Sequence, residues 1–293
     1  MTLNTEIVSV ATDSGVLHGS LLSSTEKMTG IVALIIAGSG PTDRDGNNPA
    51  MENNSLKMLA EGLAETGIAS LRYDKRGIGK SAVPGLTNSD LRIETYINDA
   101  LLWLDYLHDL NTFKTIVVIG HSEGSLIGMI ASAHQAVSKF VSIAGPGRRI
   151  DQLMREQLGA QSASLLKQAE PVFDKLVQGR LVADIPDSLS VLAGPAIQPY
   201  LISQFKFDPV IEITKLDKPV LVVQGDADIQ VTVGDAERLA ESNANAKLVV
   251  IENMNHVLKY SGAGRQKNIA TYSQPDLPVN TELLRVIKVF LTR

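Results

Sequence analysis

Gly120-His121-Ser122-Glu123-Gly124 places one hydroxyl between two glycines, after the β-branched run Thr115 to Ile119 and ahead of a helical pattern. A strand turning sharply into a helix there lifts Ser122 above the sheet, and the glycines let backbone approach backbone. A serine hydroxyl is a weak nucleophile at neutral pH, so it requires a base, and the base requires an orienting group. The chain has five histidines: His18, His108, His121, His134 and His256. Packing or exposure accounts for His18, His108 and His134, and the ring of His121 is expected to leave the turn in another direction. His256 follows the strand Lys247 to Ile251 in the loop Glu252-Asn253-Met254-Asn255. That puts it at the carboxyl end of a strand, on the same edge as Ser122, and makes it the expected base.

The segment Leu221-Val222-Val223-Gln224-Gly225-Asp226-Ala227-Asp228 offers two carboxylates at another strand end. Asp226 directly follows the glycine and suits the turn. Asp228 stands further out and is favoured as the orienting acid, while Asp235 reads as a residue of the next helix's first turn. The order Ser122, Asp228, His256 differs from the two common protease orders. An oxyanion hole needs two N–H groups aimed at the growing charge. The elbow supplies the N–H of Glu123, and the loop Gly38-Ser39-Gly40 supplies that of Ser39, with Gly40 second. Pro41 has no N–H to offer. No metal or organic cofactor is required by this chemistry.

These groups need a sheet to position them. Ile7 to Val10 and Val16 to Leu22 read as strands about the turn Asp13-Ser14-Gly15. Further strands are expected at Ile31 to Ala37, Ile68 to Leu71, Thr115 to Ile119, Phe140 to Ala144, Val220 to Val223 and Lys247 to Ile251. Helical spacing appears over 52–66 and in the stripe Ile93, Ile97, Leu101, Leu104, for which Asp90 is the candidate cap and along which Asp99, Asp105 and Asp109 can stay wet. Helices are also expected at Leu126 to Ala136, Gly234 to Glu241 and Glu282 to Leu291. About eight strands with intervening helices predict an α/β fold: a mostly parallel sheet flanked by helices, with the two early strands as an antiparallel edge.

Residues 148–215 break the rhythm. Helical patterns there are interrupted by Pro171, Pro186, Pro195, Pro199 and Pro209, and the stretch is too long for an ordinary crossover. It is read as a helical cap inserted into a catalytic domain made of 1–147 and 216–293. Leu153, Leu158, Phe173, Leu176, Phe205 and Phe207 are expected mostly to pack its core, with an acyl pocket as the other use. Residues 261–280 read as an irregular surface loop.

Composition excludes other classes. Lys and Arg total 27 against 32 for Asp and Glu, a formal net charge of −5, which argues against broad binding to nucleic acid or anionic lipid. Without cysteine there is no disulfide, thiolate metal site or cysteine nucleophile. The start of the chain has no basic, apolar leader pattern, and no run reaches membrane-helix length, so a cytoplasmic protein without membrane insertion is expected. Gly38-Ser39-Gly40 lacks the third glycine of a dinucleotide fingerprint, with Asp43 in its place, and Asp74 stands where a phosphate-binding loop ending in Gly79-Lys80-Ser81 needs its first glycine. The charged group Arg72, Asp74, Lys75, Arg76 reads as a loop held by internal ion pairs. Asp43, Arg44 and Asp45 read as a solvated loop, or as a gate to the pocket.

Taken in order, Ala37-Gly38-Ser39-Gly40-Pro41-Thr42-Asp43-Arg44-Asp45-Gly46-Asn47, Leu71-Arg72-Tyr73-Asp74-Lys75-Arg76-Gly77-Ile78-Gly79-Lys80-Ser81, the serine elbow, the Gly225 to Val231 loop and Asn255-His256 resemble the α/β-hydrolase-fold serine hydrolases of the esterase, thioesterase and acyl-peptidase-like branch. The resemblance implies Ser122 as nucleophile, Asp228 as acid, His256 as base, Ser39 and Glu123 as oxyanion donors, and a substrate-shaping cap at 148–215. Ala37 departs from the pattern, since many relatives carry His there. The implied activity is hydrolysis of small or acyl-chain carboxylic esters through an acyl-enzyme. The alternatives are an acyl-CoA thioesterase or acyltransferase, an aminoacyl peptidase or amidase, and a binding protein on an inactive hydrolase scaffold.

Overall fold

Alternation along the central strands divides the core in two. The computed structural model describes residues 2–262 and 264–293; Met1 and Ala263, inside the expected segments 1–147 and 261–280, lie outside the described residues. In β3 (Ile31–Ile36), Val32, Leu34 and Ile36 face one hydrophobic cluster while Ile31, Ala33 and Ile35 face the other. A strand buried on both sides has this all-apolar, two-residue period.

Eight strands form one sheet in the order β1-β2-β4-β3-β5-β6-β7-β8. They are β1 (Leu3–Ala11), β2 (Val16–Ser24), β3, β4 (Ala69–Tyr73), β5 (Thr115–His121), β6 (Val137–Ile143), β7 (Val220–Gly225) and β8 (Ala246–Ile251). The first two strands pair antiparallel with each other, and β2 pairs antiparallel with β4; every other neighbour is parallel. Helices α1 (Ser55–Glu65) and α11 (Thr281–Leu291) cover one face through Leu56, Leu59, Leu63, Leu283 and Ile287. Helices α2 (Ile93–Asp109), α3 (Glu123–Ala131) and α9 (Val233–Glu241) cover the other. This is the layered α/β architecture expected, with the antiparallel edge where it was expected.

Between β6 and β7 lie α4 (Ile150–Gln161), α5 (Ala163–Val177), α6 (Ser190–Ala193), α7 (Gln198–Gln204) and α8 (Pro209–Thr214). The first four share a core of their own, in which Leu158, Phe173, Leu176, Leu201 and Phe205 are buried and the rings of Phe173 and Phe205 meet edge to face, whereas α8 packs through Ile213 into the sheet-side cluster. Phe207 packs against the sheet-side cluster, so these side chains serve packing, while Leu153 is buried outside all of the clusters. Four of the five prolines interrupt the helical pattern as expected, Pro186 and Pro195 among them standing between helices. Pro171 lies inside α5, whereas Pro199 and Pro209 occupy the first turns of α7 and α8, where a missing N–H costs no helical bond.

Three local expectations are corrected. Asp90 does not cap α2: it closes a capping box with Thr87 on the short 3₁₀ turn Asn88–Asp90. Asp99 is not wet but fully buried, because Arg76 reaches across from the loop after β4 and binds both its carboxylate oxygens. Residues 261–280 are not simply a surface loop. They contain α10 (Arg265–Ala270) and a 3₁₀ turn at Thr271–Ser273, with Asn268, Thr271 and Tyr272 buried. No helix among the described residues is long and apolar enough to cross a membrane. Removing one member of a buried pair leaves a charge without compensation. Asp99→Ala is therefore expected to lower the unfolding free energy in urea by about 3–5 kcal/mol, whereas a loss under about 1 kcal/mol, as for an exposed pair, would contradict the assignment.

Candidate active site

Ser122 stands between β5 and α3 with φ 55° and ψ −122°. That region suits glycine and costs other residues about 1–3 kcal/mol. The flanking glycines hold it there: a Cβ on Gly120 would lie 2.2 Å from the carbonyl oxygen of Gly124, and one on Gly124 would lie 2.3 Å from that of Ile36. The Ser122 N–H donates to the Ile143 carbonyl at 2.9 Å, tying the elbow to β6. The side chain then projects beyond the carboxyl edge of the sheet, above the positive end of α3.

His256 and Asp228 meet at the same edge from two other strand ends. The His256 Nδ1 lies 2.8 Å from Asp228 Oδ2. Asp228 also accepts from the N–H groups of Gln230 and Val231 at 2.8 and 3.0 Å, and from Gln224 Nε2 at 3.1 Å. Burial alone raises its pKa, but the His256 ring and these donors outweigh burial and hold the carboxyl below the usual carboxylate range. An ionised Asp228 fixes the proton on Nδ1 and leaves Nε2 with its lone pair. The two loops are pressed together, since a Cβ on Gly225 would lie 1.9 Å from the Met254 carbonyl oxygen, and Asp226 accepts the Asn253 N–H at 2.6 Å. Asp226 therefore shapes the turn, as expected, and Asp235 forms the capping box of α9 while also binding Arg148.

Among the described residues the Ser122 hydroxyl and His256 Nε2 do not hydrogen-bond to each other; what binds these two segments is His121. Its ring does not turn away from the site, as the sequence suggested. Nε2 lies 2.8 Å from the His256 carbonyl oxygen, and the two imidazole rings are 5.0 Å apart. A carbonyl only accepts, so His121 carries its proton on Nε2. Burial, aided by the nearby His256, lowers its pKa to about 4 and keeps it a neutral donor. Catalytic hydrogen bonds are often long in the free enzyme and tighten when substrate binds.

The turn after β3 lies against the serine: a Cβ on Gly38 would sit 3.2 Å from Ser122 Cβ. Among the described residues, the N–H groups of Ser39 and Glu123 have no acceptor. Behind them Lys75 donates to the Gly38 carbonyl at 2.5 Å and lies 3.4 Å from Glu123 Oε2, while Gln204 of α7 donates to Glu123 Oε1 at 3.0 Å. Burial lowers the Lys75 pKa and Glu123 opposes the shift.

The charged segment after β4 is held by ion pairs, but to partners outside it: Asp74 to Arg44, Arg72 to Asp45, Arg76 to Asp13 and Asp99, Lys75 to Glu123. Asp43 accepts the N–H groups of Asp45 and Asn47, so residues 43–47 form a braced turn and not a free, solvated loop. The Asp74 carboxylate also takes the Lys80 N–H, which leaves no phosphate cradle there. Sequence reasoning missed His121, Gln224, Lys75, Gln204 and Asn268. The last donates to the Ala227 carbonyl at 2.6 Å, and Asn255 donates to Thr271 at 2.6 Å, so 265–273 buttresses the loops of Asp228 and His256. The one available signal was Lys75 within the resembling motif; Gln224 bonds within its own loop, and His121, Gln204 and Asn268 have partners far away in sequence.

The model of the family described as serine aminopeptidase, S33, matches residues 51–200, just over half of the chain. Esterase EstD of Thermotoga maritima is 29% identical over 236 residues, 79% of this chain and 55% of EstD. The chain thus spans about half the length of that curated relative. Est1E from Butyrivibrio proteoclasticus is similar with a TM-score of 0.63 at 19% identity, over 98% of this chain and 99% of that one. The Pyrococcus furiosus esterase Pf2001 gives a TM-score of 0.64 at 19% identity, over 100% of this chain and 91% of that one. At such identity the likeness speaks for the fold, which is that of the α/β hydrolases.

The backbone at 122 makes a prediction independent of any activity. At ordinary positions glycine is less stable than alanine, but here the order should invert. Urea unfolding is expected to find Ser122→Gly more stable than Ser122→Ala by about 1 kcal/mol; alanine equal or better would show that the elbow is not strained.

Proposed function

The chain belongs to the serine aminopeptidase S33 family, and on that premise we propose that it is a serine hydrolase of small or acyl-chain carboxylic esters, working through an acyl-enzyme. The observation that carries the reading is a serine at φ 55° on the same sheet edge as a buried Asp228–His256 pair. His256 Nε2 takes the proton from Ser122 Oγ as that oxygen attacks the ester carbonyl carbon. The N–H groups of Ser39 and Glu123 receive the oxyanion, with the first turn of α3 adding its dipole. His256 then gives the proton to the departing alkoxide. Water, deprotonated by the same nitrogen, releases the acid from Ser122. Asp228 holds the Nδ1 proton and stabilises the imidazolium between the two transfers. The Ser122 hydroxyl closes onto Nε2 when substrate binds.

Two further features support this assignment. An aminopeptidase must hold its substrate's α-ammonium, and the carboxylate beside the nucleophile, Glu123, is already taken by Lys75 and Gln204. That favours a neutral ester, in line with the name of the relative EstD. Helices α4 to α7 of the segment 148–215 have a core of their own and reach Glu123 through Gln204, which supports the role of that segment as a cap shaping the substrate pocket of a catalytic domain made of 1–147 and 216–293.

Turnover of short p-nitrophenyl esters beside acyl-CoAs and aminoacyl p-nitroanilides tests the reading. Ester turnover should dominate, and Ser122→Ala should abolish it in a folded protein. Asp228→Asn should lower kcat by roughly 10³–10⁴-fold, as expected when a catalytic histidine loses its tautomer, while Asp226→Asn stays near wild type. Faster anilide turnover would replace the esterase with a peptidase. Equal losses at the two aspartates would remove the role given to Asp228.

A further inference from the structure

The mechanism above makes no use of the ammonium of Lys75, although that group is 1% exposed and sits directly behind the site. Nζ donates to the Gly38 carbonyl at 2.5 Å, approaches Glu123 Oε2 at 3.4 Å and lies 5.1 Å from the centre of the Tyr96 ring. Desolvating two charges is costly, and an apolar pair of similar volume is often as stable. Stability alone therefore gives little reason for an ion pair here.

Its place relative to the two free N–H groups gives a better one. The Gly38 carbonyl and the Ser39 N–H belong to one peptide unit, which is planar and trans, so the two point in opposite directions. A cation fixed on the carbonyl oxygen holds the N–H to the side away from Lys75, in a turn that lies against Ser122, where a Cβ on Gly38 would come within 3.2 Å of the serine Cβ. It also polarises the unit, which strengthens the N–H as a donor in a water-poor setting. Glu123, the partner of Lys75, carries the second free N–H on its own backbone. One ammonium thus braces both donors, and Gln204 extends the brace into α7.

We propose that Lys75 is a positioning residue for the oxyanion site: its ammonium orients and polarises the Gly38–Ser39 peptide, and the Glu123–Gln204 contact makes that alignment depend on the cap helix α7. The inference rests on the serine-hydrolase reading. Negative charge on the carbonyl oxygen grows only towards the transition state, so a misaimed donor lowers kcat and leaves ground-state binding alone.

The test compares Lys75→Met with wild type in three readouts: ester kcat and KM, affinity for an alkyl boronic acid that forms a tetrahedral adduct on Ser122, and affinity for the neutral product alcohol. The expected result is a fall in kcat of roughly 10²-fold, the scale of one oxyanion donor, with a parallel fall in boronate affinity. KM and alcohol affinity should stay within about twofold, since neither depends on the oxyanion. A general loosening of the fold would move all of these together. Wild-type kcat and boronate affinity in Lys75→Met, or a loss confined to KM, overturns the proposal. Should that variant not fold, Gln204→Met decides, because it leaves the ion pair in place. A smaller drop in kcat and boronate affinity at constant KM supports the brace, and wild-type values overturn it. A wild-type protein inert to both ester and boronate overturns the hydrolase reading itself, whereas a reactive wild type with unaffected variants overturns this inference alone.

Discussion

Serine does not adopt φ 55° and ψ −122° by preference, and the rest of the site depends on its being held there. The restraint is steric and comes from three directions. The backbone of Gly120 lies against Gly124, that of Gly124 against Ile36, and the Ser122 N–H is tied to β6. No side chain fits between these segments, so the distance between β3, β5 and α3 is set by backbone contact. The apolar faces of β3 and β5, packed by helices on both sides, keep that contact closed. A cost of about 1–3 kcal/mol at one residue is small beside the burial of two such clusters.

Around this elbow the protein places charges that hold loops to one another. Every charged residue from Arg72 to Arg76 bonds to a distant segment, and each of those segments borders the edge strands or the site. The same device recurs on the acid and base side, where neutral groups do the holding: His121 on the His256 carbonyl, Gln224 on Asp228, Asn268 on Ala227. Three loops from separate strands can then share a few ångströms of space without depending on their own stiffness. Sites built this way keep their donors aimed before substrate arrives, which is the main source of oxyanion stabilisation.

How much of this the sequence disclosed follows from the range of each interaction. Strands and helices showed themselves through local periodicity, and the elbow through two glycines and a serine between a strand and a helix. Asp99 looks wet in the sequence because a carboxylate spaced onto an outer helix face reads the same whether or not an arginine arrives from another loop, and Asp90 looks like a cap of α2 because a carboxylate just before a helix serves equally to close a short turn with Thr87. Residues 261–280 read as a surface loop because the stretch is rich in Ser, Gly, Gln and Pro, and the residues that it buries, Asn268, Thr271 and Tyr272, are polar or amphipathic. Their burial is made possible by hydrogen bonds to Ala227, Asn255 and Gln230. The direction of the His121 ring likewise depends on where the chain comes to lie at His256. Local pattern reveals elements and chemistry-bearing types, whereas the bracing between them is a property of the assembled fold.

The central claim is that the hydroxyl at position 122 is the reacting group. Incubation of the folded protein with a fluorophosphonate, followed by proteolysis and mass spectrometry of the peptides, tests it most directly. The account predicts a single stoichiometric adduct on Ser122, with labelling suppressed in His256→Ala. An adduct on another residue, or none on a folded protein, would contradict it.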